Sequence, residues 1–259
     1  MWMITLGIIN LILLIIGLKF FFPKGFFDNK KVDLLTIIKG HFLYIFIIAI
    51  VVIIHMLEVN IVDPIVTEWV GYDYANAIQG LEGDTVIWFS QHWMSVFLYF
   101  FVIMYIAVYP FTLWFAPTYF LLTDQKKAMK SLAYGLLLIY LIALPFYLFM
   151  PITNVYTFNG AKSALEIVLP SVESFFYSTT TSNNCLPSLH TAMTILIAYS
   201  VSLTGNKKFS YFAYFCMICV IISVIYLSIH WISDVITGII LALGVIFILK
   251  KFMRIDEIG

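Results

Sequence analysis

The stretch PSLHTAMTILIAYSVSLTGNKKFSYFAYFCMICVIISVIYLSIHWISD, residues 187–234, decides the fold. Two apolar runs, Pro187 to Leu203 and Tyr211 to Ile229, flank the tight polar turn Gly205-Asn206-Lys207-Lys208. The runs show no strict period-2 alternation, so in lipid they satisfy their own backbone hydrogen bonds as α-helices and not as barrel strands. Outward from this hairpin, further apolar runs occupy Met1 to Phe22, Leu35 to Leu57, Val86 to Phe111, Leu132 to Met150 and Asp234 to Leu249. Several approach the roughly 20 residues that cross a hydrocarbon core. The expected fold is an all-α, polytopic membrane bundle of about seven transmembrane helices.

Composition agrees. Of 259 residues, 63% are hydrophobic and 11% charged, and mean hydropathy is +1.01; a soluble domain is nearer half apolar and a quarter charged. A soluble enzyme is excluded. Cations and acids balance at 14 each, so no charge excess points to nucleic acid. With no internal repeat or linker, residues 1–259 read as one domain.

Lysines cluster at 19, 24, 30, 31 and 39, at 126, 127 and 130, at 207 and 208, and at 250 and 251 with Arg254. These clusters alternate with cation-poor connections, which puts them on the cytoplasmic side, the N-terminus outside and the C-terminus inside. The first segment lacks a basic start and a small-residue cleavage site, and so reads as a retained helix. The connections Glu58 to Thr85, Pro151 to Leu186 and His230 to Ser233 then lie outside. In the first of these, Asp63-Pro64 marks a helix start; with Trp69, Trp88 and Trp93 suiting an aromatic belt, one or two interfacial helices are expected. The outer connections carry Glu58, Asp63, Glu68, Asp73, Glu82, Asp84, Glu166 and Glu173 against one lysine, Lys162. Such a field repels an anion arriving through water and favours entry from within the bilayer; otherwise these acids are solvated loop residues. Cys216 and Cys219 sit in an apolar run and read as packing residues, Cys185 has no outer partner, and no disulfide framework follows.

Polar groups at the ends of membrane helices mark the place to seek function. In Asn183-Asn184-Cys185-Leu186-Pro187-Ser188-Leu189-His190, Pro187 suits a first helical turn, leaving amides near Ser188 to cradle an anion. In His230-Trp231-Ile232-Ser233-Asp234, the i, i+4 spacing sets imidazole and carboxylate on one helical face. Counting helical rise from the shared hairpin lifts His190 by about 22 Å and His230 by about 31 Å, so both reach the outer side with His190 the deeper. A nucleophilic imidazole, a carboxylate to orient it and a second imidazole to protonate a leaving group equip the site for phosphoryl transfer through phosphohistidine, without cofactor or metal. His41 reads as a snorkelling interfacial residue. His92, and His55 with Glu58, match no metal-ligand spacing, and no metal set is assigned.

Pro187-Ser188-Leu189-His190 resembles the P-S-x-H motif of the type 2 phosphatidic acid phosphatase (PAP2) superfamily, and His230 to Asp234 its H-x-x-x-D motif. Ser223 stands where that family has serine. The resemblance implies a six-helix core over residues 35–259, preceded by an extra helix and cytoplasmic loop over 1–34. It also implies that His230 is the nucleophile, Asp234 its orienting carboxylate, His190 the general acid and Ser188 a phosphate ligand. The pattern departs where the family has arginine: Val224 follows Ser223, no K-x6-R-P motif exists, and the only arginine is Arg254. In this the chain is similar to the inositol phosphorylceramide synthase and sphingomyelin synthase branch. Lys162, with Asn183 or Asn184, is then the candidate for meeting phosphate charge. The implied activity is hydrolysis of a lipid phosphomonoester or diphosphate at the outer membrane face. The alternatives are transfer of a phospho-headgroup to an alcohol, and a transporter or channel in which His190, His230 and Asp234 line a path.

Overall fold

The computed structural model describes residues 2–26, 34–177 and 179–252; Lys30, Lys31 and Arg254 lie outside them. Helix α1 is Trp2–Phe21, and α2 is Leu34–Leu57, which runs through a π-turn at Glu58–Val62 straight into α3, Asp63–Val70. Short helices α4 (Ala75–Glu82) and α5 (Ile87–Gln91) follow. Then α6 (Ser95–Ile103) joins α7 (Tyr109–Leu122) through a second π-turn, Met104–Val108. After α8 (Lys126–Phe149) come the loop helices α9 (Val155–Phe158), α10 (Ala164–Val168) and α11 (Val172–Phe176), and the chain closes with α12 (Leu189–Ser202), α13 (Lys207–Tyr226) and α14 (Ile232–Lys251). No strand occurs among the described residues. Six of the helical runs are long and apolar enough to cross a membrane, while α12 is shorter, with 14 residues. At 1.5 Å per residue α12 rises only about 21 Å, so its amino end stops short of a full crossing.

Two expected boundaries change. The third span is Ser95–Leu122, not Val86 to Phe111. In the apolar stretch 86–89, Val86 and Ile87 pack with Trp231 in a separate buried cluster, and hydropathy cannot distinguish that burial from lipid. Trp93 Nε1–H donates to the Tyr226 carbonyl at 2.8 Å and Tyr226 O–H accepts from Met94 N–H at 3.0 Å, which pins the start of the true span. The region after Leu57 is likewise no detached connection: Asp63-Pro64 starts α3 as expected, but the helix axis is already running through the π-turn, with Asp63 N–H donating to the Glu58 carbonyl.

The bundle core lies between α7, α8, α12, α13 and α14, with Phe115, Phe120, Leu132, Ile139, Leu196, Phe209, Ala242 and Val245 buried together. At Gly135 an added Cβ would come within 2.4 Å of Leu196 Cδ1, so glycine sets the close approach of α8 and α12. The outer faces of α1 and α2 expose Ile4, Ile8, Leu11, Ile12, Phe42, Phe46 and Ile53, as helices facing acyl chains do.

One end of the bundle gathers the basic clusters. Asn206 Nδ2 in the α12–α13 turn donates to the Phe21 carbonyl at 2.7 Å and to Tyr119 Oη at 2.9 Å. His41 Nε2 lies 2.8 Å from Asp124 Oδ1, and Lys250 sits over the Tyr199 ring, 5.2 Å from its centroid. His41 is fully buried and so does not snorkel; its ring ties α2 to the α7–α8 turn. Lys19, Lys39, Lys126, Lys207 and Lys250 therefore share one end, opposite to the two motif histidines.

Candidate active site

Helix α13 ends at Tyr226, and residues 227–231 fold back over its last turn: Ile229 and His230 N–H both donate to the Val224 carbonyl at 3.0 Å. This loop removes about 6 Å of the expected difference of about 9 Å, because the four residues 227–230 add no helical rise. His230 thus precedes α14. Asp234 sits in the first turn of α14 and reaches back: its Oδ2 accepts from Trp231 N–H at 2.8 Å and lies 3.2 Å from His230 Nδ1. The pair forms across a helix start, not along a helical face, since a carboxylate in a first turn meets free amides there.

On the facing element, Ser188 caps α12. Its Oγ accepts from Thr191 N–H, its own N–H donates to the Asp234 carbonyl at 2.9 Å, and it is fully buried. Pro187 therefore precedes the helix and does not enter its first turn; Tyr147 O–H holds the Pro187 carbonyl at 2.6 Å. Gly238 makes the approach possible, for a Cβ there would meet the Ser188 carbonyl oxygen at 2.6 Å. The amino ends of α12 and α14 are thus pressed together, and His190 Nδ1 lies 3.3 Å from His230 Nε2. Beyond it, His190 Nε2 is 2.9 Å from Tyr105 Oη, carried by the π-turn in the third span.

Proton positions in this chain follow from its end. Ionised Asp234 can only accept, so His230 carries its proton on Nδ1 and presents a lone pair at Nε2. His190 then donates from Nδ1 to His230 and accepts at Nε2 from Tyr105. Each link in the order Tyr105, His190, His230, Asp234 is paired, while the second carboxylate oxygen, Asp234 Oδ1, is buried without a hydrogen-bond partner among the described residues.

A cavity of about 480 Å³ opens beside this chain and is lined by His190, His230, Tyr105, Tyr109, Asn184 and His55, with Leu6, Ile48, Val51, Met56, Ile106, Leu113 and Ile139 as its apolar wall. The wall draws on four membrane helices. On the loop side, Asn154 Nδ2 donates to Tyr177 Oη at 2.8 Å, and Tyr177 and Tyr156 share a short hydrogen bond beside Glu173. Burial pushes the Tyr177 hydroxyl up to about 12, so it remains a donor.

Of the other expected site residues, Asn184 lines the cavity but its Nδ2–H donates to Glu58 Oε1 at 2.8 Å. Ser188 is not among the lining residues, and its hydroxyl is engaged as the cap. Lys162 is exposed and lies outside the lining. Asn183 Nδ2 donates to Thr67 Oγ1 at 2.9 Å. Ser223 Oγ–H donates to the Val220 carbonyl at 2.8 Å, and Val224 is buried in apolar contacts behind the site.

Sequence reasoning left five residues without the partners the fold gives them. Glu82, read there either as part of an anion-repelling field or as a solvated loop acid, accepts from Ile232 N–H at 2.8 Å and Ser233 N–H at 2.7 Å, and so caps α14 beside the His230–Asp234 pair. Glu58 and Asp63 are buried, and Asp73 accepts from Ala75 and Thr153 N–H; none of these three is a solvated loop charge either. Tyr105 carried no motif. An excess of acid over base in loops bordering helix starts was the available signal for Glu82.

Cys185, His230 and Asp234 bring potential ligand atoms within 4.8 Å of one another. The fit to a metal is poor: His230 and Asp234 are bonded to each other, and burial, with the Asp234 carboxylate, holds the Cys185 thiol well above its usual range and so protonated.

A sequence model of the PAP2 superfamily matches residues 81–248, from the cap residue Glu82 through most of α14. The chain belongs to the PAP2 superfamily. No curated protein and no solved structure gave a significant match.

Proposed function

We infer that this chain is a lipid phosphatase of the outer membrane face, hydrolysing a lipid phosphomonoester or diphosphate through phosphohistidine at His230. One observation carries the reading: a continuous Asp234–His230–His190 hydrogen-bond chain beside a largely apolar cavity whose wall draws on four apolar helical runs. A phosphoryl group entering between the two rings takes the lone pair of His230 Nε2. As phosphate enters, its negative charge favours a second proton on His190, taken from solvent at Nε2, which then donates to Tyr105 oxygen; the N–P bond forms as the ester P–O bond breaks, and the leaving oxygen takes the Nδ1 proton of that imidazolium. Asp234 stabilises the charge that His230 acquires. Neutral His190 then accepts a proton from water as that water attacks phosphorus, releasing phosphate and restoring both rings. The first-turn amides of Leu189 and His190 have no partners within α12 and face the charge with the positive end of the helix dipole.

The positive-inside distribution and the gathering of the described lysine clusters at the opposite end support an outer site. Transfer to an alcohol is the second reading, favoured by the apolar wall, which admits a lipid alcohol by the same route as a lipid phosphate, and by the arginine-poor pattern of the synthase-like branch. The test is phosphate release from phosphatidic acid, phosphatidylglycerol phosphate and undecaprenyl diphosphate in chelator, beside His230→Ala, with lipid products analysed. Release that depends on His230 supports hydrolysis. Product formation only when phospholipid donors and inositol or lipid alcohols are supplied supports transfer, and silence in both refutes the phosphoryl chemistry.

A further inference from the structure

The cavity has a second polar region that phosphoryl chemistry at His230 does not use. Behind it lies Glu58, buried in the π-turn that follows α2, a backbone form that recurs at functional sites. Glu58 Oε1 accepts from Asn184 Nδ2–H at 2.8 Å, and its Oε2 accepts from Tyr140 O–H at 3.2 Å. The carboxylate therefore fixes Asn184 with its amide nitrogen inward. His55 Nε2 lies 3.1 Å from the Thr179 carbonyl, which can only accept, so the ring proton sits on Nε2 and Nδ1 is a lone pair. That Nδ1 is 3.8 Å from Glu58 Oε2, beyond a hydrogen bond.

Three atoms here are shielded from solvent and lack a hydrogen-bond partner: Asn184 Oδ1, His55 Nδ1 and Thr181 Oγ1. All three residues line the same cavity as His190 and His230. Buried polar atoms left unsatisfied cost free energy, so such a group in one cavity is a complement waiting for a ligand. Two of the three can only accept, and the third does either. An anion is the wrong ligand, since it brings no donor and would face Glu58.

The geometry points to a second subsite, formed by Thr181, Asn184 and His55, that takes a neutral hydrogen-bond donor, a hydroxyl or amide N–H, on the lipid whose phosphate reaches His230. The preferred substrate class is then a lipid phosphate with a free donor beside the phosphorylated oxygen. This rests on the phosphatase reading only in placing a phosphorylated lipid in the cavity; the subsite itself is tested without phosphate.

The full chain in detergent is assayed by competition with radiolabelled monooleoylglycerol, using unlabelled monooleoylglycerol, which carries two hydroxyls, and propyl oleate, which carries none. The ratio of the two affinities is compared between wild type and Thr181→Val, so that micelle partitioning cancels. Thr181→Val keeps the shape and removes a hydroxyl that bonds nothing else. The preference for monooleoylglycerol should shrink about three- to tenfold, the worth of one hydrogen bond, and Thr181→Ser should restore it. An equal ratio in wild type and Thr181→Val overturns the subsite. Should Thr181→Val bind neither lipid, Thr181→Ala supplies the same comparison. Loss of phosphate release with the preference intact would remove the phosphatase reading and leave the subsite standing; the reverse would remove only the subsite.

Discussion

Glu82 should hold His230 and Asp234 in place although it touches neither motif histidine. Its two carboxylate oxygens accept the Ile232 and Ser233 N–H groups at 2.8 and 2.7 Å, at the start of the helix whose first turn carries Asp234. Glu82→Ala leaves both amides without this partner and withdraws a negative charge from the positive end of α14. Losing a cap costs about 1 kcal/mol and losing the charge about 0.3–1 kcal/mol, so the combined loss is about 1–2 kcal/mol. For a chain of this size that is a fall of about 5 °C in Tm. Glu82→Gln keeps one acceptor oxygen and should lose about half as much. Because His190 and His230 are set against each other at 3.3 Å by this helix start, a shift of even 1 Å should reduce turnover by about 100-fold while leaving the chain folded. Thermal unfolding in detergent, hydrogen exchange at Ile232 and Ser233, and lipid phosphate release together form the assay. If Glu82→Ala melted within about 1 °C of wild type with unchanged exchange at both amides, the capping role would be refuted.

Other outcomes follow from the same geometry. Gly238→Ala drives a methyl toward the Ser188 carbonyl, 2.6 Å from the built Cβ, and should destabilise by about 1–3 kcal/mol, read as a lower Tm. Asp234→Asn frees His230 to take the wrong tautomer and should lower turnover by about 10⁴-fold with the fold retained, as carboxylate removal does in other imidazole-based sites; a loss under tenfold would deny Asp234 its orienting role. Tyr105→Phe removes one hydrogen bond from His190 and should cost about three- to tenfold in turnover. Lys162→Ala, changed at an exposed position outside the cavity lining, should leave KM within about twofold, less than one hydrogen bond is worth; a tenfold rise would bring that lysine to the phosphate.

The sequence by itself determined the helical class, the hairpin and the two histidine motifs, because long apolar runs can only be helices in lipid and because each motif is local in the chain. It also determined which ends are basic, and the Lys19, Lys39, Lys126, Lys207 and Lys250 ends do meet. Tertiary structure alone decided the rest. The meeting of His190 and His230 depends on the fold-back of residues 227–231 and on Gly238 admitting the Ser188 cap, neither of which a count of helical rise contains. Apolar residues 86–89 looked like membrane because hydropathy does not distinguish burial in the cluster around Trp231 from contact with lipid. Tyr105 joined the cavity, and Glu58 reached the cavity residue Asn184, through π-turns, where one extra residue per turn re-aims a side chain that a 3.6-residue period would place elsewhere. Glu82 is 150 residues from the amide it caps at Ile232, and a contact so distant along the chain is written only in the packing.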